Sequence, residues 1–216
     1  MKLSASVLSA DFLRLGADID RAYIAGCEFL HLDVMDGHFV PNLAVGLGVV
    51  EALKSDSRMR KDTHLMVSNP ESLIDLFAAA GSESIIIHAE STPHHIRLLR
   101  DIKKTGKLAG IALTPETPVD AVRCALEEAD IVLQVAVCVG FGGQKAIRMT
   151  FEKLRLLQEL KRKYGYTYEI QVDGGINRLT YKSAMDFGAE VLVCGSLLFG
   201  AEDMTKTALE LRAGTL

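Results

Sequence analysis

The chain has 216 residues, with 24 Lys and Arg against 28 Asp and Glu for a net charge of −4, and 49% of its residues are hydrophobic. That length and balance suit one α/β domain over residues 1–216, and scattered Lys and Arg exclude a nucleic-acid footprint. No segment is apolar enough to span a bilayer, and the opening MKLSASVLSADF, interrupted by Asp11, is too short for a secretory leader, so a cytoplasmic protein is expected.

The first apolar run, KLSASVL (2–8), reads as a strand with Ser9 at its end, followed by the helical segment ADFLRLGADIDRAYIAG (10–26). Ser9 could hydrogen-bond a substrate oxygen or cap that helix. EFLHLDV (28–34) is the second strand, and residues two apart in a strand face the same way, so His31 and Asp33 project together. DTHLMV (62–67) brings His64 in the third strand, with the helix PESLIDLFAAAG (70–81) behind it. SIIIHA (84–89) is the fourth strand and TPHHIRLLRDIKKTG (92–106) its helix. His94 and His95 read as surface residues of that helix, and His88 as outside any converging set.

KLAGIAL (107–113) and DIVLQVAV (130–137) are strands five and six; the sixth runs into GFGGQ (140–144) and the helix MTFEKLRLLQELKRKYG (149–165). YEIQVD (168–173) ends the seventh strand on Asp173, and EVLVCG (190–195) is the eighth. Several helical segments end in Gly, as helices do just past the C-cap. Cys27, Cys124, Cys138 and Cys194 lack CxxC spacing, and all but Cys124 sit in or beside apolar runs, so buried thiols in a reducing compartment are expected. Eight strands alternating with helices require parallel pairing through right-handed crossovers, and eight units in this length fit closure better than an open sheet. The expected fold is a single (β/α)8 TIM barrel, with its active site at the C-terminal ends of the strands.

His31, Asp33, His64 and Asp173 all fall at or near those strand ends. Taken singly, each His reads as a hydrogen-bonded core residue and each Asp as a turn cap. Together they form a donor set for a divalent metal, because uncompensated charges at the rim of a core are costly and a metal removes that cost. Imidazole with carboxylate suits Zn, Fe, Mn or Co better than Ca. Met35 and Met66 each lie two residues beyond a proposed ligand and should flank the site. A second constellation is glycine-rich: GFGGQ after strand six, with Gly140, Phe141, Gly142 and Gly143; DGGI, with Gly174 and Gly175; and CGSLLFG, with Gly195 and Ser196. Glycine lets backbone N–H groups approach a ligand, and phosphate sites after strands seven and eight recur in this barrel, so a phosphorylated substrate is expected.

Over nearly its whole length the chain resembles the ribulose-phosphate 3-epimerase family, through SVLSADF, HLDVMDGHFVPN, HLMVSNP, IIIHAES, GFGGQ, EIQVDGGIN and VLVCGSLLFG. The resemblance implies a barrel of the ribulose-phosphate-binding type that interconverts D-ribulose 5-phosphate and D-xylulose 5-phosphate by two-base proton transfer at carbon 3, through a metal-stabilised enediolate. It implies one divalent metal per chain, Zn or Fe favoured, on His31, Asp33, His64 and Asp173. Asp33 and Asp173 would be the acid/base pair, and Gly142, Gly143, Gly174, Gly175, Gly195 and Ser196 the phosphate loops. A homo-oligomer, without nucleic-acid or membrane partners, is expected. Where the family usually reads Met-Thr-Val-Asn-Pro-Gly-Phe-Gly-Gly-Gln after strand six, this chain has VAVCVGFGGQ, with Val135, Ala136, Cys138 and Val139 replacing Met, Thr, Asn and Pro.

That departure keeps a D-allulose 6-phosphate 3-epimerase open as an alternative, along with a non-catalytic phosphosugar-binding barrel. A decarboxylase or aldolase on the same scaffold usually wants a lysine in the site, and HLDVMD offers none.

Overall fold

The computed structural model describes residues 1–216. Strands β1 (Lys2–Ser6), β2 (Phe29–Met35), β3 (Arg60–Met66), β4 (Ser84–His88), β5 (Leu108–Leu113), β6 (Ile131–Val135), β7 (Glu169–Asp173) and β8 (Val191–Cys194) pair in parallel in chain order, and the β1–β8 pair closes the barrel. β4, β5, β6 and β8 are short and mainly aliphatic because both of their faces are covered. β2 is buried along its whole length, as a parallel strand between outer helices and inner side chains must be.

The outer layer is α1 (Leu15–Ile24), α2 (Leu47–Ala52), α3 (Ile74–Ala80), α4 (His95–Lys104), α5 (Met149–Tyr164), α6 (Tyr181–Asp186), α7 (Ser196–Phe199) and α8 (Met204–Ala213). α4 buries Leu98, Leu99 and Ile102 against the barrel; α5 buries Phe151, Leu154, Leu157 and Leu160. These spacings of three and four leave the charged residues facing outward. Gly26, Gly81, Gly106 and Gly165, the four glycines that end the helical segments read from sequence, all have left-handed φ. Between β5 and β6 the connection is a 3-10 helix, Val119–Ala125. No helix is long and apolar enough to cross a membrane.

Several sequence expectations are corrected here. β1 stops at Ser6, and Ser9 lies beyond it on the 3-10 turn Val7–Ser9. The cap of the following helical segment is Asp11, whose carboxylate accepts from the Leu13 N–H, so Ser9 does not hold that role. Cys27 and Cys194 are buried, but Cys138 is exposed like Cys124, because β6 ends at Val135 and leaves Cys138 on the loop. His94 is exposed, whereas the His95 ring is half-buried and its Nε2 donates to the Ala89 carbonyl at 2.8 Å.

The barrel interior divides by height. At the N-terminal floor, Arg60 makes a two-pronged contact with Asp62 (2.6 and 2.9 Å) and reaches Glu169 at 2.9 Å. Ser84 and Gln171 also donate to Asp62. Above the floor, Ile86, Ala112, Ile131, Leu133, Val135 and Val193 fill one side of the interior with apolar volume. The polar side chains of the C-terminal mouth come from the adjacent strands β1, β2 and β3 and from β7, which lies between β6 and β8.

Candidate active site

Lateral register assembles the site. The β2–β3 pairing sets Asp33 beside His64, β1–β2 sets Ser6 beside His31, and β6–β7 sets Val135 beside Asp173. Inward-facing positions on neighbouring strands therefore stack at one level of the mouth. His31 and His64 are fully buried and Asp33 is 3% exposed. The ligand-capable atoms of His31, Asp33, His64 and Asp173 all lie within 4.8 Å of one another.

Three of these atoms meet closely. Asp33 Oδ1 is 3.1 Å from His64 Nδ1 and 3.3 Å from His31 Nε2, and the two nitrogens are 3.2 Å apart. Donors held roughly 2.0–2.1 Å from one ion in a tetrahedral shell would be about 3.3 Å from each other. The spacing and chemistry of the cluster thus fit a divalent cation. The other Asp33 oxygen, Oδ2, accepts from the Ser6 hydroxyl at 2.9 Å.

Burial and crowding skew the protonation of this cluster. Burial alone would depress His31, but the charges of Asp33, Asp173 and Asp62 outweigh it and push the imidazolium pKa up to about 9. Burial, with His88 and His31 nearby, brings His64 down to about 4 against the pull of Asp33. Asp33 sits well below the usual carboxylate range despite its burial, because His31 and His64 both face it. Asp173 goes the other way, raised by burial and by the Asp33 charge. One carboxylate favours the ionised form and the other favours its proton, a pattern that pairs of acid/base groups share.

A cleft of about 250 Å³ opens above the cluster. Ser9, Asp33, Met35, Met66, Asp173 and the glycine-loop residues Gly140, Phe141, Gly142, Gly143, Gly174, Gly175, Gly195 and Ser196 all line it. His31 and His64 do not; they lie beneath its floor. Two glycines are required by close approach. A Cβ on Gly175, at φ +67°, would meet the Ala146 backbone nitrogen at 2.4 Å, and a Cβ on Gly195 would meet Ser9 Oγ at 2.4 Å. The β7 loop is therefore packed backbone to backbone against the segment after β6, and the Ser9 side chain presses on the backbone after β8 at the same end of the cleft.

Several residues of this region escape a sequence reading. Ser6 and Val137 line the cleft. His88, set apart in the sequence reading, lies inside: its Nε2 is 2.8 Å from His64 Nε2, and its Nδ1 is 2.8 Å from Glu90 Oε2. The Phe39 ring covers His88, with centroids 4.8 Å apart. Glu90 also accepts the Thr114 backbone N–H at 2.9 Å, and these contacts overcome partial burial to hold its carboxyl down to about 2. The signal for His88 was the HxE spacing in SIIIHAES, but nothing in one strand says which ring stands beside it on the next.

The family model described as the ribulose-phosphate 3 epimerase family matches residues 2–199. The chain is 39% identical over 213 residues to the ribulose-phosphate 3-epimerase of Bacillus subtilis (strain 168), covering 98% of each chain. To the ribulose-phosphate 3-epimerase of Treponema pallidum (strain Nichols) it is 43% identical over 197 residues, 91% of this chain and 90% of that one.

The chain belongs to the ribulose-phosphate 3-epimerase family.

Its relatives are isomerases, and the chain is an enzyme of that epimerase type. Among solved structures, a 3-hexulose-6-phosphate synthase from Salmonella typhimurium superposes with a TM-score of 0.71, covering 100% of this chain and 98% of that one. At 19% identity this likeness speaks to the fold alone. Within the epimerase family, the buried His/Asp cluster is where a divalent metal can bind.

Proposed function

We propose that the protein is a metal-dependent ketose-phosphate 3-epimerase acting on D-ribulose 5-phosphate and D-xylulose 5-phosphate. The observation that carries this reading is the pair Asp33 and Asp173, which enter one cleft from β2 and β7 with oppositely shifted proton affinities and two buried imidazoles behind the first.

In this reading the substrate phosphate is held by the glycine loops, whose N–H groups suit an anion, and that remote binding positions carbon 3 between the carboxylates. One aspartate removes the C3 proton, the C–H electron pair becomes the C2–C3 π bond, and the C2=O π pair moves onto that oxygen to give an enediolate. The other aspartate delivers a proton to the opposite face of the same carbon, and inversion results. The aspartates exchange roles in the reverse direction. Ser6 holds Oδ2 of Asp33, so that carboxylate is oriented at both oxygens. Met35, Met66 and Val135 give the cleft apolar walls that keep water from the planar intermediate. His31, Asp33, His64 and Asp173 would hold the metal, which when bound supplies Lewis-acid polarisation of the substrate carbonyl and compensates the developing negative charge.

The test is solvent exchange. The metal-replete protein in D2O should convert ribulose 5-phosphate to xylulose 5-phosphate with deuterium entering at C3, and stripping the metal should abolish both. Faster turnover of D-allulose 6-phosphate would move the substrate assignment to the hexulose phosphate. No exchange with either phosphate would reduce the protein to a binding barrel.

A further inference from the structure

His64, His88 and Glu90 form a buried file running away from the cleft. Its contacts are His64 Nε2 to His88 Nε2, then His88 Nδ1 to Glu90 Oε2, each at 2.8 Å. Both rings are fully buried, and the Glu90 side chain is 24% exposed. Nothing in the proton-transfer reading uses His88 or Glu90.

Proton counting along the file gives each ring its tautomer. An ionised carboxylate only accepts, so the His88 nitrogen facing Glu90 must carry a proton. The neutral His88 ring then has a bare Nε2, which can only accept from its neighbour. His64 must therefore carry its proton on Nε2 and leave Nδ1 bare. That bare Nδ1 lies 3.1 Å from Asp33 Oδ1, an acceptor facing an acceptor. Two buried lone-pair sites in this position repel unless a cation or a donor stands among them; His31 Nε2, 3.2 Å from Nδ1 and 3.3 Å from Oδ1, is the donor in the metal-free protein, and a bound cation would take that place. The far end of the file thus presets a metal-binding lone pair at the near end.

We infer that His88 and Glu90 are positioning residues for the metal site, fixing the tautomer and plane of His64 so that its Nδ1 lone pair faces the Asp33 and His31 donors. This rests on the reading of the cluster as a divalent-metal site. The supports of the pair are themselves tied down. Thr114 N–H donates to Glu90 Oε1, His95 donates to the carbonyl of Ala89, and Ser91 donates to the carbonyl of His88. Outer partners of this kind orient metal-ligating histidines generally, and their loss weakens metal affinity by roughly 10–100-fold.

Glu90→Gln is the discriminating variant, because it keeps the shape but leaves one acceptor for two donors, His88 Nδ1–H and Thr114 N–H. Zinc affinity would be measured by competition with a chromophoric chelator for the parent, Glu90→Gln and Glu90→Ala, with apoprotein melting recorded for each. Two-bond 1H–15N correlation spectra of the zinc-loaded parent report ring tautomers without any substitution. The expected result is at least tenfold weaker zinc binding in both variants, with His64 protonated at Nε2 and His88 at Nδ1 in the parent. Parent-like affinity in a folded Glu90→Gln, or a proton on His88 Nε2 instead, overturns the inference while the metal reading stands. A parent protein that takes up no zinc removes the metal reading, and this inference falls with it.

Discussion

The two oxygens of Asp33 face different partners, Oδ1 the imidazoles of His31 and His64 and Oδ2 the hydroxyl of Ser6. One side chain can therefore contribute to ion binding and keep a second oxygen aimed at the cleft. Asp33→Asn and Asp173→Asn should each lower turnover by roughly a hundredfold or more, as losses of general acid–base groups do. Because each aspartate serves one face of carbon 3, one variant should still wash the proton out of one epimer while inverting neither. Metal content must be matched before rates are compared, and parent-like epimerisation by both metal-loaded variants would leave the aspartates structural. Ser6→Ala removes one charge-assisted hydrogen bond, worth about 1.5–3 kcal/mol, so kcat should fall roughly tenfold to a hundredfold at unchanged metal content. Steady-state kinetics with metal analysis would check it.

At the scale of elements, the cleft depends on loops that touch through their backbones. Gly175→Ala combines a strained φ with a Cβ pressed against Ala146, so the loops after β6 and β7 must separate. The expected outcome is a raised KM for the phosphorylated substrate and a loss of about 1–3 kcal/mol in stability, read from kinetics and chemical denaturation. An unchanged KM would remove the β7 loop from the phosphate site. The strands and four of the eight helices, α1, α3, α4 and α5, were legible in the sequence, the helices because periodic apolar runs closed by glycine carry them directly. The connection over Val119–Ala125 was not, since its buried residues Val119, Val122 and Ala125 repeat every three positions, a 3-10 spacing rather than an α-helical one. The same division holds at the site. His31, Asp33, His64 and Asp173 could be read from their places near strand ends, whereas His88 depends on the lateral β3–β4 register that pairs His64 with Ile86. Ser6 was hidden in an apolar run and gains meaning only beside His31 on β2.

Across the whole molecule, chemistry at one end of the barrel depends on closure at the other. The floor ties β1, β3 and β7 together through charge: Lys2 meets Glu169 at 2.5 Å, and Arg60 spans Asp62 and Glu169 while its guanidinium lies 3.9 Å from the Phe29 ring centroid. These ties cross the barrel beneath the mouth, so they fix the mutual tilt of the strands that carry His64 and Asp173. Removing Arg60 would leave the Asp62 and Glu169 carboxylates without their shared partner, and breaking a buried pair from one side costs about 3–5 kcal/mol. Arg60→Ala should lose stability on that scale, read from urea unfolding. The floor also sets a pH dependence. The contacts with Lys2, Gln171 and Arg60 outweigh burial and lower the pKa of Glu169 below its ordinary value. A carboxyl whose folded pKa is lowered contributes stability that is fully present above its unfolded value, about 4.3, and is lost as pH falls through the lower folded value. Glu169→Gln should therefore reduce stability at neutral pH and flatten the acid limb of the stability curve below about pH 4.3. Urea unfolding of parent and variant at a series of pH values would check this, and parallel acid limbs would show that Glu169 does not titrate with folding.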